Sequence, residues 1–278
     1  MDKKRYQCKV CGYIHEGASP PDFCPACKMP SSEFEFITEV KTDSSAKKRK
    51  GLDRDSNLYT LIYSVVMVAI VAVMLAYTSE SMKDIQKKNA DIDKMMQILR
   101  AVKVETTAKT AETKYRELIT DAFLVKADGT IEKRDAFNED IVKAYTNHTA
   151  LPVFVASIDG QTKYIMALYG SGLWGAVWGY VAVNDDKDTI FGADFSHEGE
   201  TPGLGAEIAE PSFRLRFNGK HLFQQGEFMS VAVVKPGKKA QGQDYVDGIS
   251  GGTITSDGVH KMLRNSLERY VEFLKTAN

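Results

Sequence analysis

The feature that most constrains this chain is residues 58–77, LYTLIYSVVMVAIVAVMLAY, twenty positions without a charged side chain. As an α-helix at ~1.5 Å per residue the run is about 30 Å long, the thickness of bilayer hydrocarbon. Tyr59, Tyr63 and Tyr77 fall toward its ends, where aromatic side chains favour the membrane interface. A core helix of a water-soluble domain is rarely apolar on every side, and a cleaved secretion signal does not follow a folded domain. The sequence therefore predicts one transmembrane helix, with a small N-terminal part before it and a large part after it.

All four cysteines precede the span, as Cys8-x2-Cys11 and Cys24-x2-Cys27 with twelve residues between the pairs. Two such chelating turns complete a tetrahedral tetrathiolate site. A pair of disulfides is the alternative, but a C-x2-C disulfide is usually redox chemistry, and so short a segment needs a ligand to fold. Spacing does not separate zinc from iron. The residues filling the motif, Cys11-Gly12-Tyr13, Pro20-Pro21, Cys24-Pro25-x-Cys27 and Phe34, resemble the rubredoxin-like domain at the end of rubrerythrins. The resemblance covers 1–36 and implies an iron tetrathiolate that moves one electron, with a structural zinc ribbon as the alternative. Residues 37–57 read as a charged linker, with Lys47-Lys48-Arg49-Lys50 solvated or against anionic lipid. Five Lys/Arg lie in 43–57 and three in 78–92. This bias predicts a cytoplasmic N-terminus, leaving the domain after residue 78 outside, in the periplasm of a Gram-negative cell. A net charge of −1 implies no pull toward nucleic acid.

Beyond the span, Met82, Ile85, Ile92, Met96 and Leu99 predict an amphipathic stalk helix within 82–104 that packs on its own domain; Asn89 and Lys103 interrupt a coiled-coil seam. Residues 111–124 also read as helix. Residues 154–158 and 163–168 read as strands around an Asp159-Gly160 turn, 179–183 and 189–195 as a second pair, and 228–234 as a further strand. Val259, Met262, Leu263, Leu267, Tyr270 and Leu274 share one face of a helix over 257–274. Hairpins without regular strand–helix alternation make this an α+β fold.

Three passages of this part are irregular. Residues 247–256, DGISGGTITS, place three glycines and four hydroxyls just ahead of the last helix. Glycine lets backbone approach a ligand, and a helix N-terminus aims free N–H groups and a positive dipole end at an anion. That is the geometry of a phosphate site; a Gly-rich turn with a Ser/Asp N-cap is the plain alternative. Gly248-x-Ser250-x-Gly252 also fits a hydrolase nucleophile elbow, but His260, the only histidine after it, lies too close in sequence. Gly170-x-Gly172-x-x-Gly175 matches a dinucleotide fingerprint, yet VWGYV follows it where a helix is required. With Trp174 it reads as a loop shaped around something flat, or as core packing. Residues 197–205, HEGETPGLG, set one histidine beside two carboxylates without a second histidine at ligand spacing, which argues against a metal there. Three such loops in one domain point to one ligand site.

Taken together, Gly172-Leu173-Trp174-Gly175, His197-x-Gly199-Glu200-Thr201-Pro202-Gly203-Leu204-Gly205 and Val246-Asp247-Gly248-Ile249-Ser250-Gly251-Gly252-Thr253 resemble the C subunit of the Na+-translocating NADH:quinone oxidoreductases. The stalk from Lys88 to Leu99 is similar too, and the resemblance runs from the span to the C-terminus. The G subunit of the Rnf complex shares the last two passages; the Gly-Leu-Trp loop favours the C subunit of the sodium pump. The resemblance implies a periplasmic domain with FMN held by a phosphoester to a threonine hydroxyl. The family's acceptor motif, Asp-x-x-Ser/Thr-Gly-Ala-Thr, maps the acceptor onto Thr253, with Gly252 in place of the usual alanine and Ser250 and Gly251 beside it. Trp174 and Leu204 would give apolar contacts to the isoalloxazine, Glu200 and Thr201 polar ones. A flavin transferase and the other subunits of a sodium pump are the implied partners. The implied role is passing electrons from NADH toward ubiquinone, coupled to Na+ export in a bacterial inner membrane. The rubredoxin-like head departs from the family pattern, in which the chain begins at the membrane helix. The competing class is a single-pass sensor with a ligand-binding outer domain and a zinc-ribbon head. The expected organisation is head 1–36, linker 37–57, span 58–77 and stalk with FMN domain 78–278.

Overall fold

The computed structural model describes residues 4–37 and 56–276. The expected linker lies outside them except for Ile37, Ser56 and Asn57. The chain forms two compact units, Met1–Met74 and Leu75–Asn278.

In the first unit, β1 (Lys4–Cys8) pairs antiparallel with β2 (Ile14–Gly17) and β3 (Phe34–Ile37). The two cysteine motifs fold into matching turns. Gly12 N donates to Cys8 O (2.9 Å) and Lys28 N to Cys24 O (2.8 Å), with φ of 74° at Gly12 and 57° at Lys28 reversing the chain. Among the described residues of the head only Cys8 and Cys24 are buried. An apolar core this small cannot hold a fold, and the cysteine ligands must supply the cross-link.

Helix α1 (Asn57–Ala101) runs unbroken for 45 residues, about 68 Å at ~1.5 Å per residue. The expected span and stalk are thus one helix. Its most apolar window has a mean hydropathy of 2.5 and none of that window is buried. Among the described residues it is the one helix long and apolar enough to cross a membrane. The stalk seam is covered only near its end: Met82 and Ile85 stay exposed, while Gln97, Ile98, Leu99 and Ala101 are buried.

The second unit is built on a six-stranded antiparallel sheet. Helix α2 (Ala111–Leu118) leads into β4 (Ile119–Val125), followed by β5 (Ile131–Glu132), α3 (Ile141–Thr146), β6 (Leu151–Ile158), β7 (Gln161–Ser171), β8 (Ala176–Val183) and β9 (Ile190–His197). The strand order is β5-β4-β6-β7-β8-β9. The helix expected over 111–124 is correct only to Leu118. Phe123 and Val125 enter one core and Leu124 the other, so pairing with β6 overrides the local helical pattern. Both expected hairpins are present, the first turned by Asp159 (φ 51°) and Gly160 (φ 78°), as a tight hairpin requires.

The sheet is buried on both faces. Met166, Leu168, Val177 and Val181 point into one core; Ile165, Ala167, Tyr180 and Ala182 point into the other, where the end of α1 brings Ile98 and Ala101. Alternate residues are therefore apolar on both sides, and the strands read as nearly continuous hydrophobic runs.

The chain continues through α4 (Pro211–Arg214), β10 (Phe223–Gln224), β11 (Glu227–Phe228), β12 (Ala232–Val234) and β13 (Tyr245–Asp247) to α5 (Thr253–Glu268) and α6 (Val271–Lys275). The strand expected over 228–234 is interrupted where Met229 N and Ser230 N both donate to Leu222 O (2.9 Å each) and Ser230 takes φ 62°. The helix expected over 257–274 begins at Thr253 and breaks at Arg269–Tyr270, where the buried Tyr270 hydroxyl bonds to Pro152 O and Ala167 O (3.1 and 3.2 Å). Helix α5 covers the first core and crosses β7 at two glycines. A Cβ on Gly258 would collide with Ser171 O, and one on Gly170 would lie 2.7 Å from Met262 Cβ. This close crossing sets the start of α5 beside the β7–β8 turn.

Candidate functional site

In the head, the sulfurs of Cys8, Cys11, Cys24 and Cys27 all lie within 4.8 Å of one another, with Cys8–Cys27 at 3.6 Å and Cys11–Cys24 at 3.5 Å. Four thiolates ~2.3 Å from a central metal stand roughly 3.8 Å apart in a tetrahedron, so the four fit one metal ion. Burial disfavours the Cys24 thiolate, but the N–H groups of Cys27 and Ala26 and the neighbouring thiols outweigh it and bring it down to about 7. Cys8 and Cys24 are buried, whereas Cys11 reaches the surface.

In the outer domain the three irregular loops meet. The Gly172–Gly175 turn joins β7 to β8, closed by Gly172 N donating to Gly175 O (2.8 Å). Residues 198–205 follow β9, and 248–252 lead into α5. Between them is a cavity of about 220 Å³. Of the residues expected at the site, Glu200, Thr201, Leu204, Gly251, Gly252 and Thr253 line it, together with Leu173, Gly205, Ile254 and Thr255. Trp174 and Ser250 do not line it. Both are exposed, Trp174 next to the lining residue Leu173 and Ser250 in the turn before Gly251. Leu173, Leu204 and Ile254, from the first loop, the second loop and the first turn of α5, are each 42% or more exposed and line the cavity, giving it an apolar side.

Glu200 is the centre of this arrangement. Its side chain is buried, with Oε1 accepting from Leu173 N (2.8 Å) and Trp174 N (2.9 Å) and Oε2 from Thr255 Oγ1 (2.6 Å). A Cβ on either Gly172 or Gly205 would strike this carboxylate. One charge thus ties the turn, its own loop and the first turn of α5 together. Burial works against that charge, but the hydrogen bonds from Thr255, Trp174 and Leu173 outweigh it and hold the carboxyl below the usual range. Sequence patterning draws no special link between Glu200 and Thr255; a Gly at 172 and at 205 is the available sign of something packed tightly between them.

The start of α5 fits an anion. Its cap, Gly252, offers no side-chain hydrogen bond, and the first internal helix bond is Ser256 N to Gly252 O (2.9 Å). The N–H groups of Thr253, Ile254 and Thr255 are therefore left for a ligand or solvent. The hydroxyls divide by task. Thr255 donates to Glu200 and Ser256 Oγ accepts from Ile249 N (2.9 Å). Among the described residues the Thr253 hydroxyl has no hydrogen-bond partner, and it borders the cavity. His260 Nδ1 accepts from Val233 N (3.2 Å), a structural use that agrees with rejecting the nucleophile elbow. His197 Nδ1 accepts from Glu200 N (3.2 Å), and among the described residues only the four cysteines form a metal-ligand cluster.

The FMN-binding domain profile matches residues 172–268, which contain all three loops, and the rubrerythrin rubredoxin-like domain profile matches 6–35. The C subunit of the Na(+)-translocating NADH-quinone reductase of Haemophilus ducreyi is 31% identical over 237 residues, covering 74% of this chain and 88% of that protein. The corresponding protein of Vibrio anguillarum is 30% identical over 227 residues, covering 74% and 89%. The crystal structure of the same C subunit from Parabacteroides distasonis superposes with a TM-score of 0.69 at 62% identity, covering 70% of this chain and 98% of that one. Shewanella oneidensis NqrC follows at a TM-score of 0.58 and 27% identity, over 67% and 97%.

Proposed function

The chain belongs to the C-subunit family of the Na(+)-translocating NADH-quinone reductases, as a redox-carrier subunit with an FMN-binding domain, and on that premise we propose that it carries FMN esterified through its phosphate to Thr253. The observation that supports Thr253 most is the division of hydroxyls at the start of α5: Thr255 and Ser256 are engaged, and Thr253 is free at the cavity. Threonine is a weak nucleophile, so a flavin transferase must make the bond. The N–H groups of 253–255 would hold the phosphodiester charge. Gly251 and Gly252 would give the phosphate close access to backbone, with Ser250 beside them. Leu173, Trp174, Leu204 and Ile254 would cover the apolar ring, and Thr201 would offer it a hydroxyl. Glu200 would hold the loops at the ring's polar edge. Bound FMN supplies the electron-accepting and electron-donating chemistry; the protein positions it, excludes water and tunes its potential.

The domain plan we propose is head 1–36, linker 37–57, span 58–77 and FMN domain 78–278, with the head cytoplasmic and the FMN domain periplasmic. The charge bias across the span supports that orientation. The partners would be the other subunits of the pump, which passes electrons from NADH toward ubiquinone and exports Na+. In the head, Cys8, Cys11, Cys24 and Cys27 would hold iron, which supplies one-electron transfer. Head and FMN would lie on opposite faces of ~30 Å of hydrocarbon, so electrons would reach one from the other only through a carrier elsewhere in the pump.

An intact-protein mass spectrum tests the flavin reading. Wild type should carry the added mass of an FMN phosphoester, and Thr253→Ala should be folded and lack it. Ser250→Ala and Thr255→Ala should keep some attachment. Covalent flavin fluorescence persisting on a denaturing gel of Thr253→Ala would overturn the assignment.

A further inference from the structure

A buried charge cluster lies on the opposite face of the sheet from α5 and is not part of the cavity. Asp194, on the edge strand β9, has a side chain only 2% exposed. Arg100, in the last turn of α1, grips it with both ends of the guanidinium, Nε to Oδ1 and Nη2 to Oδ2, each at 3.0 Å. Arg214 reaches the same carboxylate, Nη1 to Oδ1 at 3.1 Å, and its Nη2 donates to Glu105 Oε1 at 2.6 Å. Arg214 straddles the sheet edge. Its neighbours Phe213 and Phe217 pack against Phe195 in the α5-side core, while its guanidinium turns to the stalk side.

The chain positions matter more than the pairing itself. Residues 195–213, between Asp194 and Arg214, contain the whole loop 198–205 that lines the cavity. The Asp194–Arg214 contact therefore closes the base of that loop, and Arg100 fastens the base to the helix that continues into the span. Buried ion pairs are poor stabilisers, because desolvation offsets the attraction. Burial indeed pushes the Asp194 carboxyl up despite two guanidiniums beside it. Such a cluster is better explained by geometry it enforces than by stability it adds.

We propose that Asp194 and Arg100 are positioning residues that fix the cavity loop 198–205 to the stalk helix, so that the stalk sets the placement of Glu200, Thr201 and Leu204 at the cavity. The cluster touches no cavity atom and acts through the loop base. The proposal rests on the FMN reading for its functional meaning only; the mechanical coupling it asserts exists with or without flavin.

Hydrogen–deuterium exchange on the full chain tests it, in the flavin-free Thr253→Ala background and in the flavin-loaded protein. Arg100→Met and Asp194→Asn should speed exchange at 198–205 by about tenfold or more, with amides 259–267 of α5 unchanged as the report of an intact fold. Arg100→Lys should restore part of the protection. In the loaded protein the same variants should lower flavin fluorescence anisotropy while the covalent mass remains. If exchange rises only within 91–101 and 198–205 keeps wild-type protection, the cluster is a stalk anchor and the proposal is wrong. If Asp194→Asn unfolds the domain, Arg100→Met and Arg100→Lys decide the matter alone, since Arg214 still pairs with Asp194 in both. Absence of flavin from the wild type would refute the FMN reading and leave the exchange result standing.

Discussion

Replacing Glu200 by glutamine is the sharpest probe of the cavity. Glutamine has nearly the same shape, and its Oε1 can still accept from Leu173 N and Trp174 N, at 2.8 and 2.9 Å in the native protein. Two charge-assisted bonds then become neutral ones. At the other end an amide N–H2 faces the Thr255 hydroxyl, which has to give up the role of donor it fills at 2.6 Å. Bonds to charged groups contribute ~1.5–3 kcal/mol and neutral ones ~0.5–1.5 kcal/mol, so the three changes together cost about 2–3 kcal/mol. Solvent screening takes little from this figure, because Glu200 is only 4% exposed. For a domain of this size the cost is a fall in Tm of roughly 4–12 °C. The assay is thermal and urea unfolding of fragment 78–278 carrying Thr253→Ala, so that flavin does not contribute. The effect should depend on pH. The folded Glu200 carboxyl is held below its unfolded value of ~4.3. Between those two values the unfolded chain holds a proton that the folded one lacks, so stability rises with pH there. The contribution is complete above the unfolded value and lost as pH falls through the folded one. Wild type and Glu200→Gln should thus differ at pH 7 and converge in acid. A Glu200→Gln variant within ~0.5 kcal/mol of wild type at pH 7 would refute the clamp.

Thr255→Val should reproduce part of the Glu200→Gln effect, and the double variant should lose less than the sum of the two, since both disrupt the bond they share; strict additivity in a double-mutant cycle would contradict the Glu200–Thr255 pairing. Gly205→Ala should impair flavin attachment more than Gly252→Ala. A Cβ at 205 strikes both Glu200 Oε2 and Thr255 Oγ1, whereas one at 252 meets Ile249 and Leu204 atoms at 3.2 Å with no backbone strain; equal attachment in the two, read by in-gel flavin fluorescence, contradicts this. Residues 1–36 supplied with iron should give a red, metal-dependent fold that Cys24→Ser abolishes, checked by absorption spectra and metal analysis; a colourless fragment holding zinc when both metals are offered defeats the iron assignment. Protease added outside spheroplasts should release the flavin-bearing part after Tyr77, and release of the cysteine-bearing part instead would invert the topology.

How much of this was legible in the sequence follows the range of the interactions involved. The cysteine turns and the apolar run depend on neighbours a few residues apart, and the structure brings the four sulfurs together and forms one long apolar helix. The hairpins at Asp159-Gly160 and 184–189 were legible for the same reason. Errors arise where distant strands decide the outcome. Residues 119–124 carry a helical pattern, but β6 recruits them into the sheet. Local propensity puts the start of α5 at Asp257, because the residues before it are glycine and hydroxyls, poor helix formers. The packing of Gly258 against Ser171 O and of Gly170 against Met262 holds the first turn in place and draws the helix back to Thr253.

That shift of four residues changes the chemistry of the site. With the helix beginning at Asp257, Thr253 would sit in a loose turn several residues ahead of the free N–H groups. With Thr253 as the first helical residue, its own N–H and the next two are the unpaired ones, and the proposed phosphate on its hydroxyl would lie at the positive end of the helix dipole. The hydroxyl two residues on, about 200° further round the helix at ~100° per residue, donates to Glu200. One turn of helix thus gives two threonines that both line the cavity different duties: the Thr253 hydroxyl is left open to it, and the Thr255 hydroxyl holds the carboxylate that ties the cavity's walls together.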